Sequence, residues 1–244
     1  MSTVIFRAYP QFNTPDLQRF ARLRANVGER AAEAFVRWDR YDQLAWALCD
    51  RRAVPLKEVL ESGEFHSRMR KRLRQPVVAD LCCGHGLTGA LFAMEDCVEQ
   101  VLLLDRKRPL SVSRVIDAVR ELDPKAAAKI RWIDADVEDA AAHLPVGCSV
   151  LGIHACGGAT DRILDAALEV RAKTVAVMPC CYSRTNTAAP QALREHLGAE
   201  MTSDVHRTYR LEAAGYLVDW AFIPEPITPM NRIVLGTRKE APTA

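Results

Sequence analysis

The chain has 244 residues, with 33 Lys/Arg against 31 Asp/Glu for a formal charge of +2, and is 49% hydrophobic. That length accommodates one α/β domain with a sizeable core plus an appendage, and excludes two full catalytic domains. No stretch approaches the roughly 18 uninterrupted apolar residues of a membrane span, and no basic region followed by an apolar run opens the chain, so a soluble, cytoplasmic protein without a membrane partner is expected.

From Thr14 to about Arg74, apolar residues recur at intervals of three and four: Leu17, Phe20, Leu23 and Val27, then Ala34, Phe35, Trp38, Tyr41, Leu44, Ala45 and Leu48. This spacing predicts two to four helices. Thr14-Pro15 supplies an N-cap and a first-position proline, Pro55 and Gly63 are expected breaks, and Pro76 closes the segment. Residues 1–75 thus read as an N-terminal helical cap, carrying 15 Lys/Arg against 9 Asp/Glu, whereas the remainder carries 18 against 22. The densest run, Arg68-Met69-Arg70-Lys71-Arg72-Leu73-Arg74, is either a surface for phosphates or a helix end whose cations favour its own dipole.

Beyond Pro76, strand-like runs at 77–82, 100–104, 129–133, 149–154, 173–179, 216–223 and 231–237 alternate with helical patterns through the first five. Such alternation implies a parallel sheet with right-handed crossovers. The segment between the last two runs, Pro224 to Met230, is too short for a crossover helix and predicts an antiparallel hairpin. The Pro/Thr/Ala-rich end is expected to fray.

The first run, Val77-Val78-Ala79-Asp80-Leu81-Cys82-Cys83-Gly84-His85-Gly86, ends in a Gly-x-Gly turn that opens a helix, an arrangement that brings backbone N–H groups to a ligand. The second, Val101-Leu102-Leu103-Leu104-Asp105, ends in a carboxylate placed to accept two hydrogen bonds from a ribose diol. In doubly wound sheets the ligand lies beyond the carboxyl ends of the strands where their order reverses, which is between the first and fourth in the sheet implied by the resemblance described below. Strand four delivers His154-Ala155-Cys156-Gly157-Gly158 to that point, and strand five delivers Pro179-Cys180-Cys181-Tyr182. Two histidines and five of the eight cysteines therefore converge on the cleft. With no export signal, these cysteines read as reduced thiols rather than a disulfide framework.

The Gly-x-Gly preceded by Asp80, read as lacking the third glycine of the GxGxxG pattern and so departing from NAD-binding proteins, resembles the first motif of class I S-adenosylmethionine methyltransferases. That resemblance implies a Rossmann-like sheet of order 3-2-1-4-5-7-6 spanning residues 76–240. His154-Ala155-Cys156-Gly157-Gly158-Ala159-Thr160-Asp161 together with Pro179-Cys180-Cys181-Tyr182 is similar to the catalytic domain of the eukaryotic tRNA acceptor-stem ribose methyltransferases and their bacterial relatives. Two departures stand out: Tyr182 occupies a position where that family often has His, and the zinc modules preceding the eukaryotic catalytic domain are absent.

The resemblance implies S-adenosylmethionine as cofactor. Asp80 and the Gly84 and Gly86 backbone would hold its amino-acid end, Asp105 its ribose hydroxyls and Asp136 its adenine amino group, with a solvated loop the competing reading for Asp136; Cys82, Arg106 and Val137 are further cofactor-binding candidates. His154, touching the cofactor region, is a candidate general base or acceptor-orienting group. Cys180, Cys181 and Tyr182 join it as catalytic candidates. For Cys156, Cys180 and Cys181 three readings stay open: apolar packing, zinc binding with His154 or His85, and a nucleophilic or redox thiol. No metal ligand is assigned.

RNA, met through the basic N-terminal region, is the expected acceptor, including a ribose 2'-hydroxyl. A small molecule under an N-terminal lid is the alternative. RNA binding predicts that Arg51, Arg52 and the 68–74 run face the cleft mouth, with Arg106, Lys107 and Arg108 either adding to that surface or merely solvated. A metal- or thiol-based redox protein, a non-catalytic cofactor-binding subunit and, weakest, an NAD-linked oxidoreductase are the competing classes.

Overall fold

The computed structural model describes residues 4–36, 38–182 and 189–239. Strands β1 (Val77–Leu81), β2 (Gln100–Asp105), β3 (Ile130–Asp134), β4 (Ser149–Ile153), β5 (Thr174–Met178), β6 (Tyr216–Phe222) and β7 (Arg232–Arg238) form one sheet ordered β3-β2-β1-β4-β5-β7-β6. The first five run parallel, and β7 lies antiparallel to both β5 and β6. The order and the terminal reversed hairpin are therefore those expected. Interior strands such as β4 and β5 are buried along nearly their whole length, which explains their unbroken apolar composition: helices cover both faces.

The helices are α1 (Pro15–Gln18), α2 (Glu29–Ala32), α3 (Arg40–Asp50), α4 (Leu56–Met69), α5 (Leu87–Ala93), α6 (Leu110–Leu122), α7 (Pro124–Ala128), α8 (Ala159–Glu169), α9 (Gln191–Leu197) and α10 (Ala199–Ala213). Between β3 and β4 the expected helix is instead a 3-10 segment, Val137–His143. On one sheet face, α4 packs on α5 and α3 on α6, so side chains from Phe6 through Leu73 join Leu103, Met178 and Ile233 in one apolar core. On the other face a second core gathers Ile163, Leu164, Val177 and Leu211. No helix among the described residues is long and apolar enough to cross a membrane. The expected frayed end at 240–244 lies outside the described residues.

The N-terminal segment departs from the periodicity in two places. Leu17, Phe20 and Leu23 do not share one helix: α1 ends at Gln18, and the chain continues as turns. Trp38 remains 72% exposed, ahead of a helix that starts only where Asp39 accepts hydrogen bonds from the Tyr41 and Asp42 N–H groups. Gly63, expected as a break, sits inside α4. Its missing side chain is occupied by the Tyr9 ring, because a Cβ there would lie 2.4 Å from Tyr9 Cε2. Close packing thus outweighs the poor helix propensity of glycine.

Part of the 68–74 run ties into the fold, while Lys71 and Arg74 stay exposed. Arg68 donates to the Phe222 and Ile5 carbonyls at 2.6 and 2.7 Å and pairs with buried Glu64, whose carboxylate also accepts the Arg7, Ala8 and Tyr9 N–H groups. Arg70 faces Glu95 at 3.6 Å, Arg72 pairs with Asp219 at 2.7 Å, and Leu73 is fully buried. Because this run leads directly into the amino end of β1, it lies at the opposite end of the sheet from the cleft. Arg51 pairs with Glu121, and Arg52 borders a groove among the N-terminal helices. The expected placement of these cations at the cleft mouth is not what the fold produces.

Candidate active site

At the end of β1 the chain turns through three left-handed residues, Cys82 (φ 55°), Gly84 (φ 52°) and Gly86 (φ 71°). Glycine at position 86 is also required by packing, since a Cβ would meet Leu103 Cδ1 at 2.7 Å. The Gly-x-Gly reading is one glycine short. Gly89 completes a Gly-x-Gly-x-x-Gly spacing, and it lets α5 pack closely on β2, since a Cβ there would lie 2.4 Å from Leu103 Cδ2. The glycines therefore do not separate this chain from dinucleotide-binding proteins; the reversed β7 does.

Two carboxylates organise the turn. Asp80 is buried, and its Oδ2 accepts the Gly89 N–H at 2.8 Å. Burial pushes its carboxyl up to about 7, the Gly89 N–H opposes that shift, and nearby Asp105 adds to it. Asp105, at the tip of β2, accepts the Gly84 N–H at 2.9 Å while remaining half-exposed.

A cavity of about 700 Å³ opens beside this turn, lined by Cys82, Asp105, Arg106, Asp136, Val137, His154 and Cys156 among others. A second, of about 230 Å³, is lined by Glu58, Ser62, Asp80, Cys82, Gly84, His85 and His154. Cys82 and His154 form the wall between the two. They are also left-handed non-glycine residues, at φ 55° and 58°, on the ends of neighbouring strands β1 and β4. Such backbone costs of order 1–3 kcal/mol at each residue and clusters at functional sites. A larger groove of about 1150 Å³ lies among α1, α2 and Arg52; it is mostly apolar, with Glu29, Arg30, Glu33 and Arg52 among its lining residues.

His154 is placed by a residue the sequence reading missed. Its Nε2 lies 2.8 Å from Oε2 of Glu61 in α4, without hydrogen-bond alignment, and Lys57 Nζ holds the other carboxylate oxygen at 2.5 Å. Glu61 is completely buried. The available signal was the run Lys57, Glu58, Glu61, Ser62 in an otherwise amphipathic helix, but its meaning depended on which way α4 faces. The His154 Nδ1 is buried without a protein hydrogen-bond partner among the described residues.

The expected convergence of cysteines and histidines resolves into separate groups. Cys156, Cys180 and Cys181 bring their Sγ atoms to 3.3–3.5 Å of one another. His154 turns to Glu61 instead, His85 Nδ1 contacts Ser111 Oγ at 2.6 Å, and Cys82 and Cys83 stay with the β1 turn. Burial pushes the Cys82 thiol up to about 12, as expected for a packed rather than a reactive sulfur. Tyr182 points away from the cavities: its hydroxyl donates to buried Asp204 at 2.7 Å, within a network where Asp204 also pairs with Arg207 and Arg232. An acceptor-facing role for that hydroxyl does not match this geometry.

A family model described as a methyltransferase domain matches residues 56–188. The chain belongs to that methyltransferase family, within the class I fold. The match begins at the first residue of α4 and so includes Glu61 as well as the β1 turn, Asp105, His154 and the three clustered cysteines. Relatives named glutathione S-transferase C-terminal domain-containing protein are 30% identical over 195 residues in Xenopus laevis and 33% over 196 in Homo sapiens. These alignments cover 66% and 65% of this chain but only 30% and 29% of those proteins, so the chain spans under a third of their length. Among solved structures, an rRNA methylase from Streptococcus thermophilus aligns with TM-score 0.49 at 12% identity, over 73% of this chain and 96% of that one. A precorrin-6y C5,15-methyltransferase from Geobacter metallireducens aligns with TM-score 0.48 at 17% identity, over 72% and 89%.

Proposed function

We propose that this chain is an S-adenosylmethionine-dependent methyltransferase whose acceptor is an RNA hydroxyl, with His154 as the group that takes the acceptor's proton. The observation that carries the reading is the shared wall: His154, backed by buried Glu61, stands between the cavity reached by Asp105 and the cavity reached by Asp80.

The residues present fit the cofactor. Asp105 keeps lone pairs for a ribose diol beyond the one used by Gly84, Asp136 offers an acceptor to an adenine amino group, and buried Asp80 offers a carboxylate to a cationic amino-acid end. When bound, S-adenosylmethionine supplies an electrophilic methyl group. The chain's own contribution is alignment and proton management. Glu61 lies against the imidazole at Nε2 and holds the ring at the boundary of the two cavities. Residues 1–75 serve as a cap that closes the smaller cavity through Glu58 and Ser62.

RNA is favoured by the likeness of His154 to Asp161 and Pro179 to Tyr182 to the ribose-methylating family, and by exposed Arg106, Lys107 and Arg108 beside the ribose carboxylate. Cations there, rather than at 68–74, would meet the phosphates. The test is transfer of a labelled methyl group from S-adenosylmethionine to total RNA, and in parallel to an RNA-free small-molecule extract. Label in RNA that falls steeply with salt and is lost in His154→Ala supports the proposal. Label only in the small-molecule fraction overturns the acceptor assignment, and no cofactor binding overturns the activity.

A further inference from the structure

The thiols of Cys156, Cys180 and Cys181 form a nearly equilateral triangle with edges of 3.3, 3.5 and 3.5 Å. Three features make this more than crowding. Cys180 and Cys181 are adjacent in sequence, and successive residues of an extended chain point to opposite faces. Here the chain leaving β5 turns both sulfurs to one side, toward Cys156. Second, the loop after β4 is shaped to the same end: His154 and Gly157, flanking the first cysteine, are both left-handed, at φ 58° and 61°. The His154 carbonyl thereby faces the cluster, accepting from Cys156 at 3.6 Å and from Cys180 at 3.5 Å. Third, the other vicinal pair, Cys82-Cys83, forms no such group; among the described residues the only His/Cys/Asp/Glu set with ligand spacing is this one.

A disulfide would use two of the three sulfurs and leave the third without purpose. A tetrahedral zinc ion with Zn–S bonds of about 2.3 Å needs sulfurs about 3.8 Å apart, so three converging thiolates a few tenths of an ångström closer require only slight expansion. We propose that Cys156, Cys180 and Cys181 bind one Zn²⁺ through three thiolates, with the fourth coordination position open toward solvent beside the cleft. Three Zn–S bonds form as three thiol protons pass to solvent. No fourth protein ligand stands in the cluster among the described residues, and Cys156 and Cys181 are exposed, so the site has the open form of a catalytic rather than a closed structural zinc centre. A soft thiolate set selects zinc over magnesium or calcium. The inference goes beyond the methyl-transfer reading and does not depend on which acceptor is used.

The test is elemental analysis of the full chain purified with reductant and without chelator. Stoichiometric zinc is expected, retained on dialysis, lost in each of Cys156→Ser, Cys180→Ser and Cys181→Ser, and kept in Cys97→Ser. Cobalt titration of the unmutated, metal-stripped protein gives a second readout independent of whether the variants fold. Intense sulfur-to-cobalt charge-transfer absorption with tetrahedral d–d bands is expected, and zinc should displace it. Metal-free wild-type protein that gives no such absorption, zinc that survives all three serine substitutions, or a Cys156–Cys180 disulfide in place of metal would each overturn the assignment.

Discussion

Asp105→Asn and Asp105→Ala separate the two jobs of one carboxylate. In the folded chain its Oδ2 accepts the Gly84 N–H at 2.9 Å, and the remaining lone pairs face the larger cavity. A hydrogen bond to a charged acceptor contributes roughly 1.5–3 kcal/mol, against about 0.5–1.5 for a neutral one. Asparagine keeps an acceptor for Gly84 but not the charge, so two diol bonds should weaken by roughly 2–3 kcal/mol together, a ~30- to 150-fold rise in Kd. Alanine removes both diol bonds and unties the turn, which should cost about 3–6 kcal/mol, or ~10²- to 10⁴-fold. Folding should change by no more than about 3 kcal/mol in the alanine variant, which loses one charge-assisted turn bond, and by less in the asparagine variant, which keeps an acceptor for Gly84. Calorimetric titration with S-adenosylmethionine and S-adenosylhomocysteine, beside thermal unfolding, measures both effects. Alanine binding within about threefold of wild type, with an unchanged Tm, would refute the ribose assignment of this carboxylate.

Four further outcomes follow from the same geometry. Asp80, with its carboxyl pushed up to about 7, makes a contribution to apo-protein stability that is complete below its unfolded value and is lost as pH rises toward 7. A cationic ligand end reverses this, so cofactor affinity should increase with pH through about 7 and lose that dependence in Asp80→Asn, as calorimetry at several pH values would show. His154→Ala should lower kcat by about 10²-fold or more, Glu61→Gln by roughly tenfold, and the double variant no further than His154→Ala alone; additive losses would mean that Glu61 does not act through the imidazole. Gly63→Ala should lower Tm, because forcing a Cβ to 2.4 Å from Tyr9 costs roughly 1–3 kcal/mol and outweighs about 1 kcal/mol of helix propensity; an unchanged or raised Tm would refute the packing argument. Tyr182→Phe should leave kcat within about threefold and cost about 1 kcal/mol of stability, since its hydroxyl serves buried Asp204 rather than the cleft, and a collapse of kcat would return it to the site.

Why so much of the sheet was legible is a matter of local physics. Buried parallel strands must be short apolar runs, turns must carry glycine or proline, and a carboxylate ending the second strand has one geometric destination in this topology. Asp105, Asp136 and the β1 turn could therefore be placed by number. The N-terminal segment was less legible because its apolar spacing is real but incomplete: Leu17, Phe20 and Leu23 recur as a helix would require, yet α1 stops after Gln18.

The sequence by itself determined the alternating strands and helices and the reversed hairpin, because each follows from local pattern and loop length, while the strand order that brings His154 and five cysteines to one end of the sheet came from the family resemblance. Only the tertiary structure decided which of these groups touch. It tied Arg68, Arg70 and Arg72 to partners elsewhere in the fold, seated Tyr9 where Gly63 has no side chain, set Glu61 behind His154, and drew three thiols together while leaving the other vicinal pair in the β1 turn. These outcomes depend on the packing of α4 and on left-handed backbone at Cys82 and His154, which are long-range consequences of burial that no local pattern encodes.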